Sequence, residues 1–284
     1  MRVASWNLMG RSGRAAASLG SLLRDRGGAD LVLLQEASPR GMEKFIEAAG
    51  LDWSLHIRDV APEMLSERGR SGKKGGRGRP RSVALAGRGE PARNPEVFPD
   101  APLPEKVMAA TVRLDGVDTT VVTYHAPTGV QHKLKKPAQA VQLARWLASV
   151  QGPVVLGGDF NTPKVDPPDR GGIRTHWHSG DDKLKGLPGD DLLVGPEPVH
   201  GLRDVLRLHL ADHSDELAMI RVERPDGPLM TSYRTGGAGK RRYRYDAIWV
   251  TSQFTVGSVE YVYDEAIEAG TDHALVLAGL TVGP

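Results

Sequence analysis

The chain of 284 residues contains no cysteine. Disulfides, thiolate nucleophiles and cysteine metal sites are therefore excluded. The same absence favours a reducing, cytoplasmic setting. Aromatic residues make up only 5%, and no aromatic or apolar hairpin stands out as a lipid-seeking surface. No apolar run approaches the roughly 20 residues of a membrane-spanning helix. The opening stretch MRVASWNLMG lacks the apolar core of about 7–15 residues that marks a secretory signal. Strong overall charge is also missing: the formal net charge is +2.

What is present is an ordinary globular balance, with 39% hydrophobic and 25% charged residues, enough for a sizeable α/β core. No repeat and no linker divides the sequence, so residues 1–284 read as a single domain. The charge is unevenly spread. Residues 67–81, ERGRSGKKGGRGRPR, hold seven Lys/Arg against one Glu and read as a basic, low-complexity, flexible loop. A second basic cluster, KRRYR, occupies 240–244. Like charges crowded together repel, so such clusters suit a polyanionic partner.

Hydrophobic periodicity predicts strands at 2–8, 29–38, the RSVALAGR stretch, 153–157, YDAIWVT and HALVLAGL. Helices are expected at 14–26, 40–49 and 137–149, the last with Val141, Ala144, Leu147 and Ala148 inward, and a short one at GLRDVLRLHL. Residues 108–127 read as two strands about the Asp115-Gly116 turn, the best hairpin signal in the chain. Residues 163–198, rich in Pro, Gly and Asp, read as a long irregular surface segment.

The apolar runs share one property. Each ends in a residue able to hold metal or move protons: Asn7, Glu36, His125, then Asp159 and Asn161 after the Gly-Gly of PVVLGGDFNTP. Asp246 opens the YDAIWV run, and Asp272 and His273 precede the last strand. Strand ends on one side of a sheet gather into a single cleft. One strand-end Asp is an ordinary turn former; this many, in this order, imply a reaction centre.

The ordered motifs SWNLMG, VLLQEAS, GGDFNTP, YRYDAIWV and GTDHALV resemble those of the endonuclease/exonuclease/phosphatase superfamily over nearly the whole chain. The resemblance implies a four-layer α/β sandwich, two packed, mainly antiparallel β-sheets flanked by helices, forming one catalytic domain. It also implies a Mg²⁺- or Mn²⁺-dependent phosphodiesterase. A hard cation takes oxygen ligands and few carboxylates. By the resemblance Glu36, with Asn7 and Asp272, holds it, while His125, Asp159, Asn161, Asp246 and His273 are catalytic, Asp246 being the partner of His273. Which of Asp159 and His273 activates water is left open. His125 distinguishes branches of the family: deoxyribonuclease I pairs the matching histidine with a Glu, but this chain has Arg79, Arg81 and Ser82 in that region. Arg77, Arg79, Arg81, Arg241, Arg242, Tyr243 and Arg244 are expected to meet DNA or RNA through phosphates and stacking, and Tyr233 is a further pocket candidate. His176 and His178 form a possible metal pair without a third ligand nearby. The expected activity is nuclease cleavage of DNA with little sequence preference. The alternatives are a phospholipid or inositol-phosphate hydrolase with the same metal site, and a catalytically silent nucleic-acid-binding protein. No obligate protein partner is evident.

Overall fold

A computed structural model of the chain describes residues 1–62, 81–98, 100–175, 189–236 and 240–283. Most of the basic loop expected at 67–81, including Arg77 and Arg79, lies outside the described residues, as do His176 and His178.

In chain order the elements are β1 (Arg2–Asn7), α1 (Gly13–Asp25), β2 (Leu31–Ala37), α2 (Pro39–Ala49), β3 (Trp53–His56), α3 (Ile57–Val60), β4 (Ser82–Gly87), β5 (Arg93–Val97), β6 (Val107–Leu114) and β7 (Val117–His125). They continue with α4 (Gly129–His132), α5 (Lys135–Ser149), β8 (Val154–Asp159), α6 (Asp190–Val194), β9 (Arg203–Asp204), α7 (Val205–Asp212) and α8 (Ser214–Glu223). The last are β10 (Tyr233–Arg234), β11 (Arg242–Tyr243), β12 (Asp246–Val250), β13 (Phe254–Val262), α9 (Asp264–Ala269) and β14 (Leu275–Val282).

Two six-stranded sheets form, ordered β13-β14-β1-β2-β4-β3 and β5-β6-β7-β8-β12-β9, with β10 and β11 as a separate two-stranded ribbon. Each six-stranded sheet is mixed. Its central pair, β1 with β2 or β7 with β8, is parallel, and its other neighbours are antiparallel. The arrangement decides where the chemistry sits: antiparallel neighbours end at opposite edges, whereas parallel neighbours bring two C-terminal ends to the same edge.

Side chains alternate along each strand. In β1, Val3 faces the seam between the sheets, while Ala4 and Trp6 face outward. The seam holds Val3, Leu31, Leu33 and Leu85 against Met108, Val121, Val155 and Ile248. Trp6, Val32 and Leu34 pack on α1 and α2 through Leu19, Leu23 and Phe45. Val122, Tyr124 and Leu156 pack on α5 through Ala140, Leu143 and Leu147. The result is the expected four-layer α/β sandwich. The hairpin at Asp115-Gly116 forms with φ of +48° and +82°, as its sequence demands.

Two local expectations need correction. The buried face of α5 is Lys136, Gln139, Ala140, Leu143, Ala144 and Leu147, so Ala148 is exposed and Val141 half-buried. In addition, the 163–198 segment is not purely a surface loop where it is described. Asp166, Ile173, Asp190, Leu193 and Val194 are buried in it, Leu193 and Val194 joining the apolar cluster that holds Leu143, Phe160 and Trp249.

Candidate active site

Parallel pairing places the ends of β7 and β8 side by side, with His125 in register with Asp159. Antiparallel β12 brings Asp246 opposite Asp159. Three functional candidates therefore sit in one row across three strands. The first sheet supplies Asn7 at the end of β1, in register with Gln35, and Glu36 one residue further along β2. Glu36 has φ +46°, and the β2–β4 register slips around it, between Leu34 and Ala37. Asn161, just past β8, has φ +50°. Left-handed backbone costs energy for residues with a Cβ, and such strain concentrates at functional sites.

The Gly-Gly of the quoted motif is a matter of space. A Cβ on Gly157 would strike Leu33 and Ser5 across the seam, and one on Gly158 would strike the Tyr124 carbonyl. Glycine lets β8 run close to its neighbours.

The candidates meet across the seam. The Asn7 amide donates to Asp159 Oδ2 at 3.0 Å. His125 Nε2 lies 3.8 Å from Glu36 Oε1 and 3.7 Å from Asp159 Oδ2. His273 Nε2 lies 3.8 Å from Asp159 Oδ2, and its Nδ1 is 2.8 Å from Asp246 Oδ2. Asp272, whose side chain is nearly half exposed, reaches within 3.9 Å of His273. Asn161 donates its backbone N–H to Asp159 Oδ1 at 2.9 Å and its amide to the Ala126 carbonyl at 2.9 Å. All eight candidate catalytic and metal residues thus converge on Asp159 or its immediate partners.

Electrostatics divides the two acid–base groups. Burial works against a charged His273, but Asp246 and then Asp159 outweigh it and push the imidazole up to about 10. Burial raises the Asp159 carboxyl to about 6, with His273 pulling down and Asp246 pushing up. At neutral pH the site therefore holds an imidazolium beside an ionised carboxylate.

Three groups were not singled out in the sequence. Lys106 Nζ sits 2.9 Å from His125 Nδ1. Burial and then Lys106 hold the His125 pKa well below its usual value. Buried Lys136 donates to the carbonyls of Phe160 and Asn161 at 3.0 and 2.9 Å and pairs with buried Asp190 at 3.5 Å. It pins the strained loop to α5. Its signal is a lysine on the inward stripe of a helix, four residues before Ala140. Asp166 is the third. It takes Arg244 Nε at 2.5 Å and also holds Arg207. Arg244 donates to Asp204 as well, at 2.6 Å. This corrects the expectation for Arg244. It is 4% exposed and neutralises two buried carboxylates instead of facing a polyanion.

The remaining basic candidates differ in place. Arg81 binds Glu36 Oε2 at 2.7 Å at the mouth of the site. Arg241 and Arg242 are exposed, and Tyr243 is half-buried. Tyr233 bridges by its backbone to His273.

The donor set can be tested against a metal. Among the described residues, Asp159, Asp246 and His273 bring three possible ligand atoms within 4.8 Å. Within that trio Asp246 Oδ2 and His273 Nδ1 face each other at 2.8 Å. Glu36 and Asp272 offer carboxylate oxygens, and Asn7 an amide oxygen that accepts from Met9 N–H at 2.9 Å, donors of the kind a hard divalent cation takes. Among the described residues, no helix is long and apolar enough to cross a membrane.

The fold has relatives among solved structures. Zebrafish (D. rerio) TDP2 complexed with a single-strand DNA product aligns with TM-score 0.61 at 16% identity, over 99% of both chains. The endonuclease domain of TRAS1, a telomere-specific non-LTR retrotransposon, aligns with TM-score 0.52 at 15% identity, over 100% of this chain and 99% of its own. An endonuclease/exonuclease/phosphatase from Beutenbergia cavernae DSM 12333 aligns with TM-score 0.59 at 17% identity, over 100% of this chain and 72% of its own. Identities this low establish a shared fold. Among curated proteins, none matches the chain in sequence. The model of the endonuclease/exonuclease/phosphatase family matches residues 4–273. The chain belongs to the endonuclease/exonuclease/phosphatase family.

Proposed function

We propose that the chain is a Mg²⁺- or Mn²⁺-dependent nuclease that hydrolyses DNA phosphodiester bonds with little sequence preference. Family membership supports metal-dependent phosphoester hydrolysis. The observation that carries the mechanism is the Asp246–His273 pair at 2.8 Å with Asp159 3.8 Å beyond it.

An imidazolium already bears its proton, so His273 donates to a phosphate oxygen and offsets the charge gathering there. Asp159, ionised at neutral pH, takes the proton of the attacking water. Asn7 and Asn161 hold that carboxylate in place. The Lys106 ammonium donates to His125 Nδ1, which leaves the proton on Nε2. His125 therefore presents a second N–H to the phosphate. Glu36, Asn7 and Asp272 would hold the metal, which when bound polarises the phosphoryl oxygen and activates water. Exposed Arg241 and Arg242 would neutralise flanking phosphates without reading bases.

The test is an incubation with supercoiled plasmid, linear duplex, single strands, an abasic duplex, sphingomyelin and an inositol phosphate, each with Mg²⁺, Mn²⁺ or EDTA. Metal-dependent DNA cleavage that disappears in Asp159→Asn and His273→Ala supports the reading. Cleavage of the lipid or inositol substrate alone moves the function to another branch of the family, and wild-type turnover in either variant refutes the assignment of the site.

A further inference from the structure

The bond between Asp246 and His273 leaves one motion of the imidazole unchecked. It fixes the ring at one corner, Nδ1. Rotation about that corner would still swing Nε2 away from Asp159, which it meets at 3.8 Å. The nitrogen that serves the phosphate has to be aimed, because a displacement of about 1 Å can cost roughly a hundredfold in rate. A second contact is needed to set the plane of the ring.

The Tyr233 ring supplies it. The two ring centres stand 4.9 Å apart with their planes tilted by 33°, within the roughly 4.5–7 Å of favourable aromatic contacts. Tyr233 is itself held in place. Its backbone bridges to His273, β11 pairs it with Tyr243, and the Tyr245 ring packs on its own at 5.5 Å and 21°. The preceding residue, Ser232, is fully buried. Its carbonyl accepts from Ala274 N–H at 2.8 Å, just past His273. Its hydroxyl accepts from the N–H groups of Tyr245 and Asp246 at 2.9 and 3.0 Å. Ser232 and Tyr233 together therefore grip both partners: Asp246 by its backbone, His273 by backbone and ring.

We infer that Tyr233 is a positioning residue of the reaction: its ring sets the plane of the His273 imidazole and so keeps Nε2 aimed at the phosphate. The inference deepens the nuclease reading and rests on it for the task of His273. The contact is made by the ring, so its shape matters and its hydroxyl does not. An aliphatic side chain of similar reach leaves the bond to Asp246 intact but frees the plane of the imidazole. A residue that only supported the fold would affect stability, and one that gripped the substrate would affect KM. A residue that aims His273 acts on the chemical step, so its loss lowers kcat.

The test compares wild type, Tyr233→Leu and Tyr233→Phe at one fixed pH. Histidine-labelled protein in EDTA is followed by ¹H–¹³C NMR, with the His273 signal assigned from the spectrum of His273→Gln. In Tyr233→Leu the His273 Cε1–H signal should shift and broaden, as the ring current and the packing of the tyrosine are lost; in Tyr233→Phe it should stay. Buried His56 and His200 should not move and so report an intact fold; if they do, Tyr233→Met takes the place of the Leu variant. Turnover of bis(p-nitrophenyl) phosphate with Mg²⁺ should fall by about 10–100-fold in kcat in Tyr233→Leu, with KM within about twofold, and Tyr233→Phe should restore it. A His273 signal that stays put in the Leu variant, a loss carried by KM, or a kcat within about threefold of wild type overturns the inference while the nuclease reading stands. Absence of turnover by the wild type with both Mg²⁺ and Mn²⁺ sinks the nuclease reading, and a shifted His273 signal then still upholds the Tyr233 contact.

Discussion

Replacing Asp246 by Asn removes one negative charge from a buried pair without changing its shape. Asp246 is 0% exposed, and its Oδ2 holds His273 Nδ1 at 2.8 Å. Raising an imidazole from the usual 6.5 to about 10 corresponds to roughly 5 kcal/mol in favour of the charged form, at about 1.4 kcal/mol per pH unit. Asp246 leads the groups that supply it, ahead of Asp159. In the variant, burial is opposed mainly by Asp159, so His273 falls back toward or below its ordinary value and is largely neutral at pH 8. The assay is hydrolysis of bis(p-nitrophenyl) phosphate from pH 5 to 10.5 at saturating Mg²⁺. Wild-type turnover should hold until it falls near pH 10. Asp246→Asn should lower turnover by about 10²–10⁴ and move the alkaline fall down by several pH units. An unchanged alkaline limb, or a loss below threefold at pH 8, would refute the reasoning that Asp246 keeps His273 charged. Stability follows the same sign. The folded-state value is raised, so the pair's contribution is complete below about pH 6.5 and fades as the pH climbs through about 10.

On the acid side, turnover should fall as pH drops through about 6, where Asp159 takes up a proton; a flat profile between pH 5 and 7 would remove Asp159 from the role of base. Lys136→Met leaves Asp190 buried without its partner and should cost about 3–5 kcal/mol in urea unfolding, with Lys136→Met/Asp190→Leu recovering much of it; a loss below 1 kcal/mol would contradict the latch. Arg244→Met removes the cation shared by Asp166 and Asp204, leaving Arg207 alone beside them, and should lower the melting temperature clearly, whereas Arg242→Ala should not; equal stability of the two would undo the correction made for Arg244. Glu36→Gln should raise the Mg²⁺ concentration for half-maximal turnover by roughly 10–100-fold or more, read by metal titration; an unchanged requirement would place the ion elsewhere.

The strand ends were legible because each apolar run breaks abruptly at a polar residue, and parallel pairing then carries those breaks to one edge. The hairpin was legible because Asp-Gly suits left-handed backbone. Strand β13 was not, because its burial does not alternate cleanly: much of it is half-exposed or exposed. The inward face of α5 was misjudged because Lys136 and Gln139 occupy core positions there, which hydrophobicity alone counts as surface. Arg244 looked like its neighbours Arg241 and Arg242. Its partners Asp166 and Asp204 lie 78 and 40 residues away, and no local pattern links them. Lys106 escaped for the same reason, since only the fold brings it to His125.

Nearly every key contact joins one sheet to the other: Asn7 to Asp159, Glu36 to His125, His273 to Asp246. Neither sheet owns a working half of the chemistry. Turnover is therefore a gauge of how the two slabs are aligned. A wedge driven between them at Gly157, where Leu33 and Ser5 leave no room, would silence the protein by parting matched groups while leaving each slab whole.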